Sequence, residues 1–247
     1  VCMVLGLMTT VFAADEKSND IVILHTDDAH CGVNDNLGYA GVAAYKAEMK
    51  KTHNYVALVD CGDAIQGESI GTLSAGAYLV DIMNEVGYDF ATFGNHEFDY
   101  KLPQLAKLTK QAKYQYLACN FKYIGEGTSD LNYKPYEIVT YGDKKVAFIG
   151  IVTPESFTKS TPAYFMNDAQ TKYIYDILGG EDGQKLYDAV QKAIDKAEFW
   201  GADTIIGLGH LGVDPSSSPW TSEEVIANTT GFDAFIDGHS HTVMENK

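Results

Sequence analysis

The chain has 247 residues, of which 45% are hydrophobic and 21% are charged. These are ordinary values for a globular protein, and they argue against extended disorder. With 18 lysines and arginines against 34 aspartates and glutamates, the formal charge is −16. This charge excludes a nucleic acid polymer or an anionic membrane as the main partner. It is compatible with a small phosphate ester where metal cations reverse the local sign.

The first thirteen residues, VCMVLGLMTTVFA, carry no charge and are mostly apolar. They are too few to span a bilayer as a helix, which needs about 20 residues. The segment ends at Ala13 and turns polar at Asp15, as the apolar core and cleavage site of a secretory signal do. We therefore expect a signal-peptide remnant at 1–13, export to the periplasm, cell surface or exterior, and no stable membrane insertion afterwards. A buried N-terminal strand is the alternative.

Short apolar segments alternate with longer amphipathic segments in the rest of the chain. Strands are predicted at Ile21–His25, Tyr55–Val59, Phe90–Phe93, Tyr136–Thr140, Lys145–Val152, Thr204–Leu208 and Ala234–Ile236. Helices are predicted at Ala40–Lys51, Leu73–Val86, Leu102–Gln111 and Leu186–Trp200. Gly142 and Asp143 predict a hairpin turn between two of the strands. The alternation predicts the α/β class, in which ligands bind at the carboxyl ends of the strands.

Residues 153–182 do not follow this alternation. The segment contains Pro154, Pro162 and several aromatic residues, and it ends near Gly179 and Gly180. Such a long connection without a clear periodic pattern predicts a surface insertion.

The four cysteines, Cys2, Cys31, Cys61 and Cys119, are widely spaced. They form neither a disulfide framework nor a Cys-x-x-Cys zinc motif. We expect Cys31, Cys61 and Cys119 to be small core residues.

Side chains suited to metal binding follow one predicted strand after another. They are Asp28 and His30, then Asp63, then Asn95 with His96, Glu97 and Asp99, then His210, and finally Asp237, His239 and His241. Residues two apart in an extended segment point the same way, so the pairs 28/30 and 239/241 can each face one cavity. Aspartate, histidine and asparagine without cysteine suit zinc, manganese or iron. Seven ligands taken from this set are more than one ion needs, and they suit two ions about 3.5–4 Å apart that share a bridging carboxylate.

Each motif has an alternative explanation when it is taken alone. An Asp beside a Gly is common in turns, and a His after a strand is often only a hydrogen-bonded loop residue. His25 and Asp27, beside the first pair, are interpreted as packed core residues, with Asp27 as a hydrogen-bonding neighbour. Residues 207–212 match G-x-G-x-x-G, but Pro215 and Pro219 oppose the helix that a dinucleotide site requires. We therefore expect no nucleotide cofactor there.

The motifs HTDDAH, DCGDAIQG, GNHEFD, GLGHLG and DGHSH resemble the calcineurin-like metallophosphoesterases, and more closely the 5′-nucleotidase/UDP-sugar hydrolase family. The resemblance implies a metallophosphoesterase domain at 20–247, folded as a four-layer αββα sandwich around a two-metal site. It implies that one ion is held by Asp28, His30, Asp63 and His241. It implies that the other is held by Asp63, Asn95, His210 and His239, with Asp63 bridging. His96 resembles the family's catalytic histidine, and Asp99 its orienting partner.

The resemblance also implies an activity. Nucleoside 5′-monophosphates would be hydrolysed by metal-activated water, with Zn²⁺ or Mn²⁺ favoured and Mg²⁺, Co²⁺ or Fe compatible. The alternatives are a phosphodiesterase or pyrophosphatase acting on 2′,3′-cyclic nucleotides or UDP-sugars, and a metal-binding module without turnover. Members of the family complete the metal domain beyond this point and add a C-terminal domain that stacks the nucleobase. We expect that domain to be a missing part of the same polypeptide.

Overall fold

The computed structural model describes residues 16–167 and 169–243. The predicted signal-peptide remnant at 1–13 and Cys2 lie outside these ranges. The strands are β1 (Ser18–Thr26), β2 (His53–Asp60), β3 (Phe90–Thr92), β4 (Gln115–Leu117), β5 (Phe121–Tyr123), β6 (Tyr133–Lys134), β7 (Tyr136–Tyr141), β8 (Lys144–Val152), β9 (Tyr175–Ile177), β10 (Thr204–His210) and β11 (Ala234–Ile236). The α-helices are α1 (Gly38–Thr52), α2 (Ser69–Ser74), α3 (Ala77–Val86), α4 (Leu102–Gln111), α5 (Ser156–Lys159), α6 (Gln184–Phe199) and α7 (Ser222–Ala227).

Most strands belong to two sheets. The first sheet is parallel and has the order β1-β2-β3-β4-β6. The second has the order β11-β10-β8-β7, in which β8, β10 and β11 are parallel. The antiparallel pair β7–β8 is joined through Gly142 and Asp143, which confirms the predicted hairpin. In each set of parallel strands the carboxyl ends lie at one edge, which is where polar loops can meet.

Three apolar clusters divide the core into layers. Between the two sheets, Val59 and Phe90 of the first pack with Phe148 and Leu208 of the second. A second cluster joins α1, α3 and α4 to the outer face of the first sheet. A third joins α6 and α7 to the outer face of the second sheet. The sequence of layers is therefore helix, sheet, sheet, helix, and the predicted αββα sandwich is confirmed.

The helix predicted at Leu73–Val86 is wrong because the chain breaks it. Helix α2 ends at Ser74 and α3 begins at Ala77, since Ala75 and Gly76 have φ values of 47° and 83°. A Cβ atom on Gly76 would lie 3.0 Å from Leu108 and 3.1 Å from Ile65, so the turn packs closely on the core. In the two described ranges no helix is both long and apolar enough to cross a bilayer.

The segment 153–182 is less superficial than predicted. It contains α5 and β9, and β9 pairs with β5 in an antiparallel ribbon. Phe165 and Ile177 are buried in the cluster beneath the first sheet's helices. Phe165 packs against Phe98, with ring centroids 4.8 Å apart. The surface prediction failed in part, because Phe165 and Tyr175 are buried in the core, although Tyr173 and many other residues of the segment are exposed.

His25 is not the packed core residue that we expected. Its side chain is 50% exposed, and its Nδ1 atom lies 3.4 Å from Oδ2 of Asp27, which is itself 35% exposed. Within residues 16–167 and 169–243, β1 is the edge strand of its sheet and pairs with β2 alone. The cysteines behave as expected, because Cys31 and Cys61 are buried and Cys119 is partly buried.

The G-x-G-x-x-G match at residues 207–212 does not open a helix. Strand β10 continues to His210, and a short 3₁₀ turn follows at Pro215–Ser217. The next α-helix begins only at Ser222. A pyrophosphate would need a helix N-terminus directly after the strand, so this geometry gives no support to a dinucleotide site.

Candidate metal centre

The loops that follow β1, β2, β3, β10 and β11 meet at one place. Backbone hydrogen bonds join the first two loops, from Asp28 N–H to Gly62 O at 3.1 Å and from His30 N–H to Asp63 O at 2.9 Å. The last loop is joined to the first by His239 N–H, which donates to Asp28 Oδ2 at 2.7 Å. All seven side chains predicted as metal ligands lie in this region: Asp28, His30, Asp63, Asn95, His210, His239 and His241.

One group of potential ligands consists of Asp28, His30 and His241. The Nε2 atoms of the two histidines are 3.2 Å apart, and His241 Nε2 lies 3.7 Å from Asp28 Oδ1. His30 Nδ1 lies 3.1 Å from the carbonyl of Gln66, so Nδ1–H donates and Nε2 keeps its lone pair. Asp28 Oδ1 is buried and has no hydrogen-bond partner among the described residues. A buried carboxylate oxygen without a donor is a site for a cation.

The second group surrounds His210, which is fully buried. Its Nδ1–H donates to the carbonyl of Cys61 at 2.7 Å, so in the neutral ring, the form that binds a metal, Nε2 carries the lone pair. That Nε2 lies 3.1 Å from Asp63 Oδ2, 3.2 Å from His239 Nδ1 and 3.3 Å from Asn95 Oδ1. When both rings are neutral and His239 carries its hydrogen on Nε2, four acceptor atoms therefore face one another without a hydrogen between them.

These two groups fit divalent cations. Donor atoms that bind one ion at about 2.0–2.2 Å lie about 3 Å or slightly more from one another, as they do here. Without a cation the facing lone pairs repel, unless a proton takes its place. The protein uses that substitute at His210: burial acts to lower its pKa, but Asp63 and Asp28 outweigh burial and raise the pKa to about 10. This set of ligand atoms is therefore suited to positive charge, whether a metal cation or a proton on His210 supplies it.

Asp63 lies between the two groups. Its Oδ2 atom is 3.1 Å from His210 Nε2 and 3.9 Å from His30 Nε2. Its Oδ1 atom accepts a hydrogen bond from His96 N–H at 2.7 Å, which fixes the orientation of the carboxylate. Burial acts to raise the pKa of Asp63, but the charge of His210 outweighs it and holds the pKa well below its ordinary value. An ionised carboxylate in this position can be shared by two ions.

Five of the seven side chains project from residues in the left-handed backbone region. The φ values are 47° for Asp28, 41° for His30, 57° for Asp63, 84° for His239 and 50° for His241. Residues other than glycine adopt this region rarely and at a cost of about 1–3 kcal/mol each. Such conformations persist only where the surrounding structure imposes them, and they cluster at functional sites.

Glu97 is a buried carboxylate to which the sequence analysis gave no separate role. It accepts hydrogen bonds from the backbone N–H groups of Asp63 at 2.8 Å, Ala64 at 2.9 Å and Gly94 at 2.6 Å. A Cβ atom on Gly94 would overlap Asp63 Oδ1, so only glycine allows this approach. Burial and the charge of Asp63 raise the pKa of Glu97 to about 7. Glu97 therefore joins the loops after β2 and β3 and positions Asp63.

His96 and Asp99 form a pair beside the two groups. His96 Nδ1 lies 2.6 Å from Asp99 Oδ2, and this hydrogen bond raises the pKa of His96. The second oxygen of Asp99 accepts a hydrogen bond from Ser160 Oγ at 2.8 Å. His96 also has a ring nitrogen within 4.8 Å of ligand atoms of His30 and Asp63. Because Nδ1 is occupied, Nε2 is the atom free to face a bound substrate.

Glu155 and Ser160 contact the site and were missed by the sequence analysis. Glu155 Oε2 lies 2.8 Å from His239 Nε2. A signal for Glu155 was present, because it comes three residues after the end of β8 at Val152, as the other site residues come after their strands. The unusual composition of residues 153–182 concealed it. No comparable signal identifies Ser160, which reaches Asp99 through the tertiary fold.

The chain belongs to the calcineurin-like phosphoesterase family, whose profile matches residues 21–243. It is 29% identical over 243 residues to the snake venom 5′-nucleotidase of Gloydius brevicauda, covering 92% of this chain and 38% of that protein. It is 28% identical over 278 residues to the 2′,3′-cyclic-nucleotide 2′-phosphodiesterase/3′-nucleotidase of Haemophilus influenzae, covering 99% of this chain and 40% of that protein. The chain thus spans less than half the length of these curated relatives.

A solved structure supports the same assignment. The calcineurin-like phosphoesterase YfkN from Bacillus subtilis superposes with a TM-score of 0.73 and 25% sequence identity, covering 92% of this chain and 74% of that chain. The fold and the family predicted from the motifs are therefore confirmed.

Replacing Glu97 with Gln tests the loop connection. The amide group can accept with one oxygen only, so at least one buried N–H group among Asp63, Ala64 and Gly94 loses its acceptor. We expect a loss of about 1–3 kcal/mol in the free energy of unfolding. We also expect weaker metal binding, measured by calorimetric titration. Glu85→Gln, at a side chain that is 83% exposed, is the matched control. Unchanged stability and unchanged affinity in Glu97→Gln would contradict the connection.

Metal binding should depend on pH through His210. The raised pKa means that the metal-free imidazole is protonated at neutral pH, whereas a metal ligand must be neutral. Affinity should therefore rise with pH, about tenfold per unit for each proton displaced, between about pH 6 and 8. Titration calorimetry in buffers of different ionisation enthalpy would count the released protons. An affinity that is independent of pH, with no proton released, would refute this expectation.

Proposed function

We propose that the chain is the metal-binding part of an exported phosphoesterase that uses two divalent ions to hydrolyse nucleoside 5′-monophosphates to nucleoside and phosphate. The observation that carries the proposal is the position of Asp63, with one oxygen facing both groups of acceptors. The His96–Asp99 pair beside them supplies a candidate proton donor. Family membership and the 5′-nucleotidase relative support this class of reaction. For export, the apolar segment 1–13 supports the proposal.

The proposed ligands divide as the two groups do. Asp28, His30 and His241 would hold one ion, and His210, His239 and Asn95 would hold the other, with Asp63 shared. Bound there, the ions would neutralise charge on the phosphoryl oxygens and activate water as the nucleophile. Zn²⁺ and Mn²⁺ are the ions that this set of nitrogen and oxygen ligands favours, and Mg²⁺, Co²⁺ and Fe are compatible.

The electrostatics of the site accommodate an anionic substrate in an acidic protein. Asp28 and Asp63 offset only part of the charge of two divalent cations, so the site keeps a positive field while the chain carries −16. This local field attracts a phosphate group where the global charge would repel it. A small phosphate ester is therefore the substrate class proposed, rather than a nucleic acid polymer.

His96 is proposed as the catalytic histidine. Asp99 holds its Nδ1–H and raises its pKa, so the ring keeps a proton that Nε2 can donate. In the reaction this proton would stabilise the phosphoryl group or the departing ester oxygen. Asp99 acts through His96 and is the orienting partner.

A phosphodiesterase is the second candidate function, because the Haemophilus influenzae relative carries that activity in its name. The two metal groups suit either reaction, so substrate tests must decide. Products from AMP, 2′,3′-cyclic AMP and UDP-glucose would separate the activities, on this chain and on one extended past Lys247. Phosphate released from AMP alone supports the first candidate. Turnover of the cyclic ester or UDP-glucose alone supports the second, and bound metal without turnover supports a binding module.

Two substitutions test the division of roles. Asp63→Ala should lose both ions and essentially all activity, because both groups share this carboxylate. His96→Ala should keep both ions and lose about 10²–10⁴-fold in kcat, as expected for a lost proton donor. Elemental analysis beside phosphate-release kinetics measures both effects.

His53→Ala is the matched control for these variants, because that histidine is the first residue of β2, at the opposite end of the strand from the Asp63 loop, and contacts Met49 and Thr52. Loss of metal from His96→Ala would show that His96 is a ligand. Full metal content in Asp63→Ala would overturn the shared-carboxylate arrangement.

A further inference from the structure

One carboxylate outside the predicted ligand set is in contact with a proposed ligand. Glu155 Oε2 lies 2.8 Å from Nε2 of His239. The same oxygen accepts a hydrogen bond from Ser217 Oγ at 2.8 Å. The contact is well shielded, since 14% of the Glu155 side chain and 6% of the His239 side chain are exposed. Shielding from water makes a charge-assisted hydrogen bond stronger and better defined than a surface ion pair.

The contact selects one form of the imidazole. A carboxylate accepts but does not donate, so Nε2 of His239 must carry the hydrogen. In the neutral ring Nδ1 then has the free lone pair, and Nδ1 is the atom that faces His210 Nε2 at 3.2 Å. The carboxylate therefore leaves the correct nitrogen available at the second group of ligands.

The carboxylate is itself held in place from two sides. Glu155 lies at the start of the short helix α5, directly after β8 and its Thr153–Pro154 turn. Ser217, in the 3₁₀ turn after β10, fixes the same carboxylate oxygen. Lys159 Nζ is 4.0 Å away and half exposed, so it adds little. Two neighbouring strands of the second sheet thus determine where Glu155 points.

We propose that Glu155 is a positioning residue, which rests on the proposed function: it holds the His239 ring in the orientation and tautomer that present Nδ1 to a metal ion. Carboxylates that bind the outer nitrogen of a ligating histidine raise its basicity and fix its ring. Loss of such a partner reduces metal affinity by about 10–100-fold.

The experiment compares the metal-free chain with three variants by Zn²⁺ titration calorimetry. Glu155→Ala should weaken one of two binding steps by about 10–100-fold and leave the other unchanged. Glu155→Gln should keep most of the affinity, because its amide oxygen still accepts from Nε2–H. Glu224→Ala is the matched control, since that glutamate bonds Ser218 and Thr221 instead. It should lower the Tm without changing either binding step.

A second measurement reads the ring itself. Nitrogen-15 spectra of labelled histidine, with His239→Gln to assign the signal, should show the Nε2–H form in the parent chain and in Glu155→Gln. They should show a shift toward Nδ1–H in Glu155→Ala. A purely structural role for Glu155 would change the Tm but not this tautomer.

The outcomes separate the two proposals. Parental Zn²⁺ affinity in Glu155→Ala overturns the positioning role while the proposed function stands. If the parent chain binds no Zn²⁺, the proposed function fails, and the tautomer of His239 alone decides the role of Glu155. An unchanged tautomer in Glu155→Ala then overturns it, and a shifted tautomer supports it.

Discussion

The site depends on a carboxylate that faces backbone amides rather than the ligand cavity. Glu97 accepts three backbone N–H groups, two from the loop after β2 and one from the loop after β3. Those loops carry the carboxylate of Asp63, which is proposed to be shared by two ions, and the His96–Asp99 pair. A single buried side chain therefore sets the distance between the proposed metal ligands and the proposed proton donor. Glycine at 94 is part of the same constraint, because any side chain there would displace Asp63.

The backbone around the ligands is strained, and the strain explains their convergence. Left-handed φ values at Asp28, Asp63 and His239 turn each loop back sharply after its strand. Each such residue costs about 1–3 kcal/mol, so the conformations require compensation from the hydrogen bonds between loops. The layers of the sandwich provide the frame, because the carboxyl-terminal part of β2 and most of β3 and β10, which carry three of the loops, are buried between the helices and the opposite sheet. The arrangement lowers local stability because it holds acceptor atoms close together. A cation or a proton between those atoms relieves the repulsion of their lone pairs.

Much of the fold and of the candidate site could be predicted from the sequence. Asp28, Asp63 and His210 were identified because each follows an apolar strand that is recognisable in the sequence. The loops after parallel strands must meet at one edge of the sheet. The prediction failed where tertiary packing decides. The break at Gly76 comes from contact with Leu108 and Ile65, and the burial of Phe165 comes from packing against Phe98. Neither contact leaves a periodic signal.

The exposure of His25 was also set by tertiary structure. The apolar sequence of β1 predicts a strand, but it does not show that this strand lies at the edge of its sheet. The roles of Glu97, Glu155 and Ser160 were also hidden, since each acts on another residue rather than on the ligand cavity itself. The motif GNHEFD contains Glu97, yet its spacing does not show whether this carboxylate accepts backbone N–H groups or binds a metal ion. The supporting roles of these residues are visible only once the distances are known, although the position of Glu155 after β8 marked it as a candidate.

The helix α5 region links the two chemical parts of the site. At its start Glu155 contacts His239 of the second metal group, and just after its end Ser160 donates to Asp99 of the proton-donor pair. These contacts lie at the two ends of one four-residue helix, so a displacement of α5 would disturb the proposed metal ligand and the orientation of His96 together. The segment 153–182, whose composition predicts an insertion, therefore contacts both the proposed metal ligand His239 and the partner of the proposed proton donor, Asp99. Phe165, six residues after α5 ends, packs against Phe98 in the core and so anchors the segment that carries both contacts.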